Sequence, residues 1–368
     1  MEFCAPCLFG IEGILGDELK RLHVDNVRVE NGRVLFSGDY STLAKVNIQS
    51  RYAERVQILL SQFKAYSFED LFQGVKAISW KDYLAEKDSF PVKGWALEST
   101  LHSVPDCQAI VKKAIVSNLS KAYGTEWFEE TGPKHQVQFT ILKDQVSILL
   151  DTSGPGLHKR GYRAVSLEAP LKETLAAAIA DLTRARTSTT IIDPFCGSGT
   201  LLIEAALASR RIAPGIARKF AAQDWEQIPK ETWKQEKDLA KSFENHDKEL
   251  HLIGMDIDDG ALTLTKENLE KAKIDAQITL KNQDIKDFVP EGESGTVLCN
   301  PPYGERLLDV KAAEELIKTM GKVFIPKKGW SYAIISPHEE FETLFGRKAT
   351  KRRKLYNGML RCTLYMYF

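Results

Sequence analysis

Asn300, Pro301, Pro302 and Tyr303 stand in a row. An Asn side-chain carbonyl and the main-chain carbonyl of Pro301 are acceptors, while two prolines fix φ and supply no N–H donor, so this turn offers acceptors from a stiff backbone. Such a pair suits an exocyclic base amine. Each N–H is held by one oxygen, and the nitrogen lone pair, otherwise delocalised into the ring, turns toward an electrophile. Tyr303 adds a ring on which an extruded base can stack. An ordinary strand-ending turn uses the same residue types, so the reading needs partners elsewhere in the chain.

The first partner is Asp193-Pro194-Phe195-Cys196-Gly197-Ser198-Gly199-Thr200. It lies between a predicted strand, 189–195, and a predicted apolar helix, 201–208. A Gly-x-Gly turn there lets backbone approach a ligand at the carboxyl edge of a sheet. A dinucleotide fingerprint would need a third glycine where Leu202 stands, and its acid about 20 residues on, whereas Asp256 follows only after a long insertion. An acid ahead of the glycines instead suits a cationic ligand. Asp256, ending a predicted strand 251–257, is placed to meet two ribose hydroxyls. Asp284, after the strand 278–283, is placed to accept from an adenine amine. Both are also common cap or turn residues, but four such strand ends in this order are not the product of independent turns.

The elements that must position these groups alternate as strand and helix beyond residue 170, which predicts a doubly wound parallel sheet completed by strands 296–300, 331–336 and 361–368. A charged stretch, 233–249, reads as an amphipathic helix on an insertion. Ahead of it, strands at 3–5 and 33–36 with a helix at 11–22 form a small α+β unit. From residue 64 a second unit follows: helices at 67–73 and from Tyr83, an extended segment 90–98, a turn at Pro105-Asp106, a helix 107–123, and strands 137–142 and 146–151 about a Lys143-Asp144 turn. This order is that of a ferredoxin-like split βαβ. Gly154-Pro155-Gly156 opens a linker near 152–169. The expected domains are therefore 1–63, 64–164 and 165–368.

Fifty basic and fifty acidic residues cancel, so any nucleic-acid surface must be local. Six of the eight residues from Arg347 to Lys354 are cationic, and His158 to Arg163 sets cations beside Tyr162. A solvated face accounts for such clusters equally well. Hydrophobic residues make up 43% and charged ones 27% of the chain, a soluble composition, and no apolar run approaches the roughly 20 residues that span a bilayer. The N-terminus lacks a secretory pattern, which predicts a cytoplasmic location. Of six cysteines only Cys4 and Cys7 have C-x-x-C spacing. With no second pair nearby, neither a structural zinc nor any other metal is expected, and all six are read as reduced.

DPFCGSGT, GMDID, NQD and NPPYGER, in this order, resemble the class I S-adenosylmethionine-dependent methyltransferases of the amino-methylating branch. HSVPDCQAIVKKAI and LLDTSGPGLHKRGYR resemble a THUMP RNA-binding domain with its small N-terminal companion. Together they are similar to bacterial THUMP methyltransferases like the N-terminal half of the large-subunit rRNA guanine-N2 methyltransferase. The fold this implies is α/β: a Rossmann-like methyltransferase domain after α+β ferredoxin-like and THUMP domains. The resemblance places Asp193, Phe195, Gly197, Gly199 and Thr200 around the methionine part of the donor, with Lys172, Glu173 and Thr174 closing over it. It gives Asp256 with Ile257 the ribose side, Asp284 with Ile285 the adenine, and Asn300, Pro301, Pro302 and Tyr303 the target base, Asn300 bordering the donor as well.

The fused enterobacterial form carries a second methyltransferase module, and this chain stops at Phe368, so a narrower or different substrate range is expected. RNA, rRNA first, is the expected partner, with phosphate contacts from Lys112, Lys113, Lys159, Arg160, Arg163, Arg352 and Arg353. Lys112 and Lys113 equally fit the wet face of their helix. Rival activities are tRNA guanine-N2 or DNA adenine-N6 methylation, a non-catalytic RNA-binding assembly role and, more distantly, a nicotinamide oxidoreductase.

Overall fold

The computed structural model describes residues 1–163, 171–303 and 310–368. The end of the predicted linker and Gly304, Glu305 and Arg306 of the NPPYGER motif lie outside the described residues.

The N-terminal part runs β1 (Glu2–Pro6), α1 (Glu12–Arg21), β2 (Asp25–Glu30), β3 (Arg33–Ser37), α2 (Tyr40–Gln49), β4 (Gln57–Lys64), α3 (Phe68–Lys76), β5 (Val92–Leu97), α4 (Val104–Tyr123), β6 (Gln136–Leu142) and β7 (Gln145–Asp151). Its strands form one sheet of order β2-β3-β1-β4-β7-β6-β5. The two small units thus share a sheet, because β4 pairs with β1 on one side and with β7 on the other. In β6 the residues of QVQFTIL alternate between half-buried and buried, Val137, Phe139 and Ile141 facing inward, as a strand with one covered face requires. Lys143 and Asp144 both have positive φ, the geometry of a two-residue hairpin turn whose twist matches its strands.

Two local expectations fail. No helix starts at Tyr83. Instead a single 3₁₀ turn, Trp80–Asp82, buries Trp80, whose Nε1 donates to the Val75 carbonyl at 2.8 Å. The short run from there to Pro91 has no room for stable helical turns, and the residue before a proline is driven to extended backbone. Pro105 does not turn the chain but sits in the first turn of α4, where its missing N–H removes no helical bond.

The C-terminal part runs α5 (Glu173–Leu182), β8 (Thr190–Asp193), α6 (Thr200–Ser209), α7 (Lys230–Ser242), β9 (His251–Asp256), α8 (Asp259–Ala272), β10 (Gln277–Asn282), β11 (Gly295–Cys299), α9 (Val310–Val323), β12 (Trp330–Ser336), α10 (Phe341–Phe345), β13 (Lys351–Asn357) and β14 (Leu360–Tyr367). The sheet order is β10-β9-β8-β11-β12-β14-β13. β8 to β12 are parallel, but β14 runs antiparallel to β12 and β13 antiparallel to β14. The wholly parallel sheet expected from the sequence is corrected at this edge. The cationic stretch from Lys351 is a strand, hidden from the sequence because its charges mask any apolar alternation. The strand order reverses between the parallel neighbours β8 and β11 at the centre of the sheet, which leaves a crevice at their carboxyl ends.

Polar contacts between the two parts are specific. Asn47 on α2 holds the stretch that leaves β7, donating to the Thr152 hydroxyl (2.9 Å) and accepting from Ser153 (2.7 Å). Arg51 donates to the carbonyls of Leu207 and Ile212 at 3.2 and 2.8 Å. Glu54 accepts from Lys172 (3.0 Å) and Thr174 (2.5 Å), with His158 Nδ1 at 3.3 Å. All six cysteines are buried and unpaired. Among the described residues no helix is long and apolar enough to cross a membrane.

Candidate active site

Asp193 closes β8, and its Oδ1 accepts from the Phe195 N–H at 3.0 Å. The chain then turns through Gly197 and Gly199, with φ of 53° and 74°, into α6. Gly199 is needed twice over. Its backbone is left-handed, and a Cβ there would stand 2.9 Å from Thr265 Cγ2 on α8. That helix fixes the loop, Thr265 donating to the Gly197 carbonyl at 2.9 Å and Asn268 to the Ser198 carbonyl at 2.9 Å. Asp256, ending β9, accepts from Gly197 N–H through Oδ2 (3.0 Å) and from Asp258 N–H through Oδ1 (3.1 Å). Each oxygen keeps a further lone pair for a ligand.

The crevice is a cavity of about 1320 Å³, lined by Asp193, Phe195, Gly197, Thr200, Asp256, Ile257, Asp284, Ile285, Asn300, Pro301, Pro302 and Tyr303, among others. Ordinary small-molecule sites hold roughly 300–1,000 Å³, so this one has room for a nucleoside-sized ligand and a base together. Residues from four strand ends meet there. Ile257 is exposed on the wall and Ile285 buried in it, an apolar pair suited to a flat ring. Asp284 caps the turn after β10, accepting from Lys286 N–H at 3.0 Å, and also pairs with the Lys286 ammonium at 3.2 Å. These contacts hold its carboxyl below the usual range. It is thus the cap that its residue type allows and a cavity wall at once.

Two features mark the cavity as reactive. Asn300 Oδ1 is buried and has no hydrogen-bond partner among the described residues; a buried acceptor left unpaired costs about 1–3 kcal/mol, which a ligand N–H would recover. The Asp193 carboxyl is pushed up to about 8, chiefly by burial, with the Asp256 charge adding and the Phe195 N–H holding it partly back. A carboxyl poised near neutrality becomes a carboxylate when a cation is set beside it, and a pyrophosphate would oppose that change. The donor set therefore fits S-adenosylmethionine and not a dinucleotide.

Other predicted site residues go elsewhere. Lys172 and Thr174 do not line the cavity. Both are bound to Glu54, so they join the two parts of the chain. Arg160 is buried, donating to the carbonyls of Leu157 and Arg51 at 2.6 Å each and lying 3.5 Å from Glu204. Arg163 donates to the Leu171 carbonyl (3.0 Å) and to Thr200 (2.6 Å), with Glu173 at 3.6 Å. Neither arginine is available to phosphates. Their guanidiniums satisfy buried carbonyls and carboxylates that would otherwise stay unpaired. Lys112 is likewise committed, to Glu130, the Phe90 carbonyl (3.1 Å) and the face of the Phe90 ring (3.5 Å). Lys113, Lys159, Arg352 and Arg353 are exposed, although Arg352 pairs with Glu342 at 3.2 Å and Arg353 donates to the Gly10 carbonyl at 2.7 Å.

The sequence reading missed the turn joining β13 to β14. Asn357, Met359 and Leu360 line the same cavity, and Asn357 Nδ2 donates to the Tyr303 hydroxyl at 3.0 Å. Burial raises the Tyr303 phenol well above its ordinary value, and Cys362 of β14 adds to this, so Tyr303 stays neutral. An Asn-Gly pair at 357–358 was the available signal for a tight hairpin.

The model of the RMKL-like methyltransferase domain matches residues 160–366. The chain belongs to that family. Models of the RlmL ferredoxin-like domain and of the THUMP domain match residues 2–57 and 65–151. Among curated relatives of this RMKL-like protein is "Putative RNA methyltransferase YpsC" of Bacillus subtilis, 44% identical over 99% of this chain and 95% of that one. Two crystal structures are similar over the whole chain. One, titled "a predicted N6-adenine-specific DNA methylase", is from Listeria monocytogenes (44% identity, TM-score 0.93, 96% of that chain). The other is SMU.472, titled "a putative methyltransferase complexed with SAH" (40% identity, TM-score 0.93, 97% of that chain). The cofactor of the RMKL-like methyltransferase is S-adenosylmethionine, in agreement with the donor set of the cavity.

Proposed function

We propose that this methyltransferase acts on the exocyclic N2 of a guanine in RNA, large-subunit rRNA first, with residues 1–63 and 64–164 presenting the RNA to residues 165–368. The observation that carries the reading is the buried Asn300 Oδ1, without a hydrogen-bond partner among the described residues, beside Tyr303 in the donor cavity. S-adenosylmethionine, when bound, supplies a methyl group already activated by its sulfonium. Asp193 answers the cationic end of the donor, Asp256 the ribose hydroxyls, and Asp284 with Ile257 and Ile285 the adenine. Asn300 Oδ1 and the Pro301 carbonyl each accept one N–H of the base, which frees the nitrogen lone pair, and the Tyr303 ring holds the base plane. Orientation and fixed dipoles then provide most of the acceleration. The target must be extruded or already unpaired to reach this depth.

The match of a THUMP model to residues 65–151 favours RNA over DNA. Adenine-N6 of DNA is the second reading, since the same turn serves either amine and the Listeria relative carries that name. Transfer of a tritiated methyl group to undermodified rRNA, to tRNA and to duplex DNA separates them. Label in rRNA guanosine is the expected result, and label in DNA adenine alone overturns it.

A further inference from the structure

The β13–β14 turn consists of Asn357, Gly358, Met359 and Leu360, with Gly358 at a φ of 64°. Met359 is fully exposed and Leu360 is 45% exposed. Single exposed apolar residues are ordinary, so exposure alone carries nothing. The setting does. Both side chains stand at the rim of the cavity that holds Asn300 and Tyr303. The same turn reaches inward, Asn357 donating to the Tyr303 hydroxyl. The hairpin behind it carries exposed cations on both strands, Lys351 and Lys354 on β13 and Arg361 on β14. An unbranched apolar tip on a cationic hairpin, beside a pocket for an extruded base, has the chemistry of a wedge that replaces the base in its stack while phosphates are held alongside.

We infer that Met359 is an intercalating wedge: it enters the RNA stack beside the target nucleotide, and Asn357 on the same turn sets the Tyr303 ring to receive the base that leaves. The inference rests on the proposed RNA reading and adds to it how the target is extruded. Extrusion and capture are joined in one rigid hairpin, since Asn357 and Met359 are two residues apart. The pairing of β13 with β14 from Lys351 to Asn357 fixes the tip over the cavity.

The test starts from the guanosine methylated by the wild-type protein in total RNA of a deletion strain. The RNA carrying it is transcribed in two versions, the native one and one in which the nucleotides stacked on or paired with the target are changed to leave it free. The ratio of kcat/KM on the freed version to that on the native version is the readout. Met359→Ala is expected to raise this ratio about tenfold, and Met359→Leu, which keeps an apolar tip, to leave it within about twofold of wild type. Equal loss on both versions, or no change on either, would overturn the wedge and make the tip a general contact or a docking point for protein. A wild-type protein that methylates no guanosine in that total RNA overturns the proposed function itself.

Discussion

The Arg163 guanidinium donates to the Thr200 hydroxyl at 2.6 Å, tying the segment that follows the N-terminal sheet to the first residue of the helix behind the donor loop. The same guanidinium also binds the Leu171 carbonyl at 3.0 Å, at the entry to α5. A side chain whose positive charge suits an RNA phosphate therefore braces the donor site from behind. Arg160, three residues earlier, does the same for Glu204 in the middle of α6. The expected consequences can be measured.

Replacing Asn300 by Ala removes the buried side-chain acceptor while leaving the donor loop intact. Affinity for S-adenosylmethionine by calorimetry should hold within a few-fold, and turnover should fall on the order of 10²–10³, the size of a lost preorganised dipole. Loss of donor binding together with turnover would make Asn300 a structural residue.

Asp193 gives a pH signature with a definite sign. Its folded value of about 8 exceeds the 3.8 of a free aspartate, so the native state without donor holds an extra proton across that window. The stability this group contributes is complete below pH 4 and is lost as pH rises through about 8. Binding a cationic donor converts the acid to carboxylate, so calorimetry near pH 7 in buffers of different ionisation enthalpy should show proton release. Asp193→Asn should abolish the release, and buffer-independent heats in the wild type would contradict the assignment.

Glu54 behaves oppositely. Burial would raise its carboxyl, but His158, Thr174 and Lys172 outweigh burial and hold it down to about 2. Its contribution is present above the 4.5 of a free glutamate and is lost as pH falls toward 2. Glu54→Gln should lower the unfolding temperature at pH 7 and flatten the acid limb of a pH–stability curve. An unchanged acid limb would show that the latch between the two parts contributes nothing.

Arginine and lysine neighbours should separate in their effects. Arg160→Ala leaves Glu204 buried without its cation and should cost about 3–5 kcal/mol of stability in denaturant unfolding. Lys159→Ala, on an exposed side chain, should leave stability unchanged and weaken RNA binding, reducing the slope of log affinity against log salt by about 1. A stable Arg160→Ala protein with weakened RNA binding would restore the phosphate role.

The sequence by itself determined the strand ends and their chemistry. Asp193, Gly197, Gly199, Asp256, Asp284 and Asn300 announce themselves because a turn needing left-handed backbone admits little but glycine, and because carboxylates and amides at strand ends are short-range features. Only the tertiary structure decided which cations are free. Arg160, Arg163 and Lys112 look the same as Lys159 and Lys113 in a string of letters. Whether a guanidinium or an ammonium meets solvent or a buried oxygen depends on residues such as Arg51, Glu204 and Glu130, which local spacing cannot bring near. The same holds for the union of the two N-terminal units into one sheet, for the service of Lys172 and Thr174 to Glu54, and for the β13–β14 tip at the rim of the cavity. Each rests on contacts between positions far apart in the chain, fixed only when the sheets close on their cores.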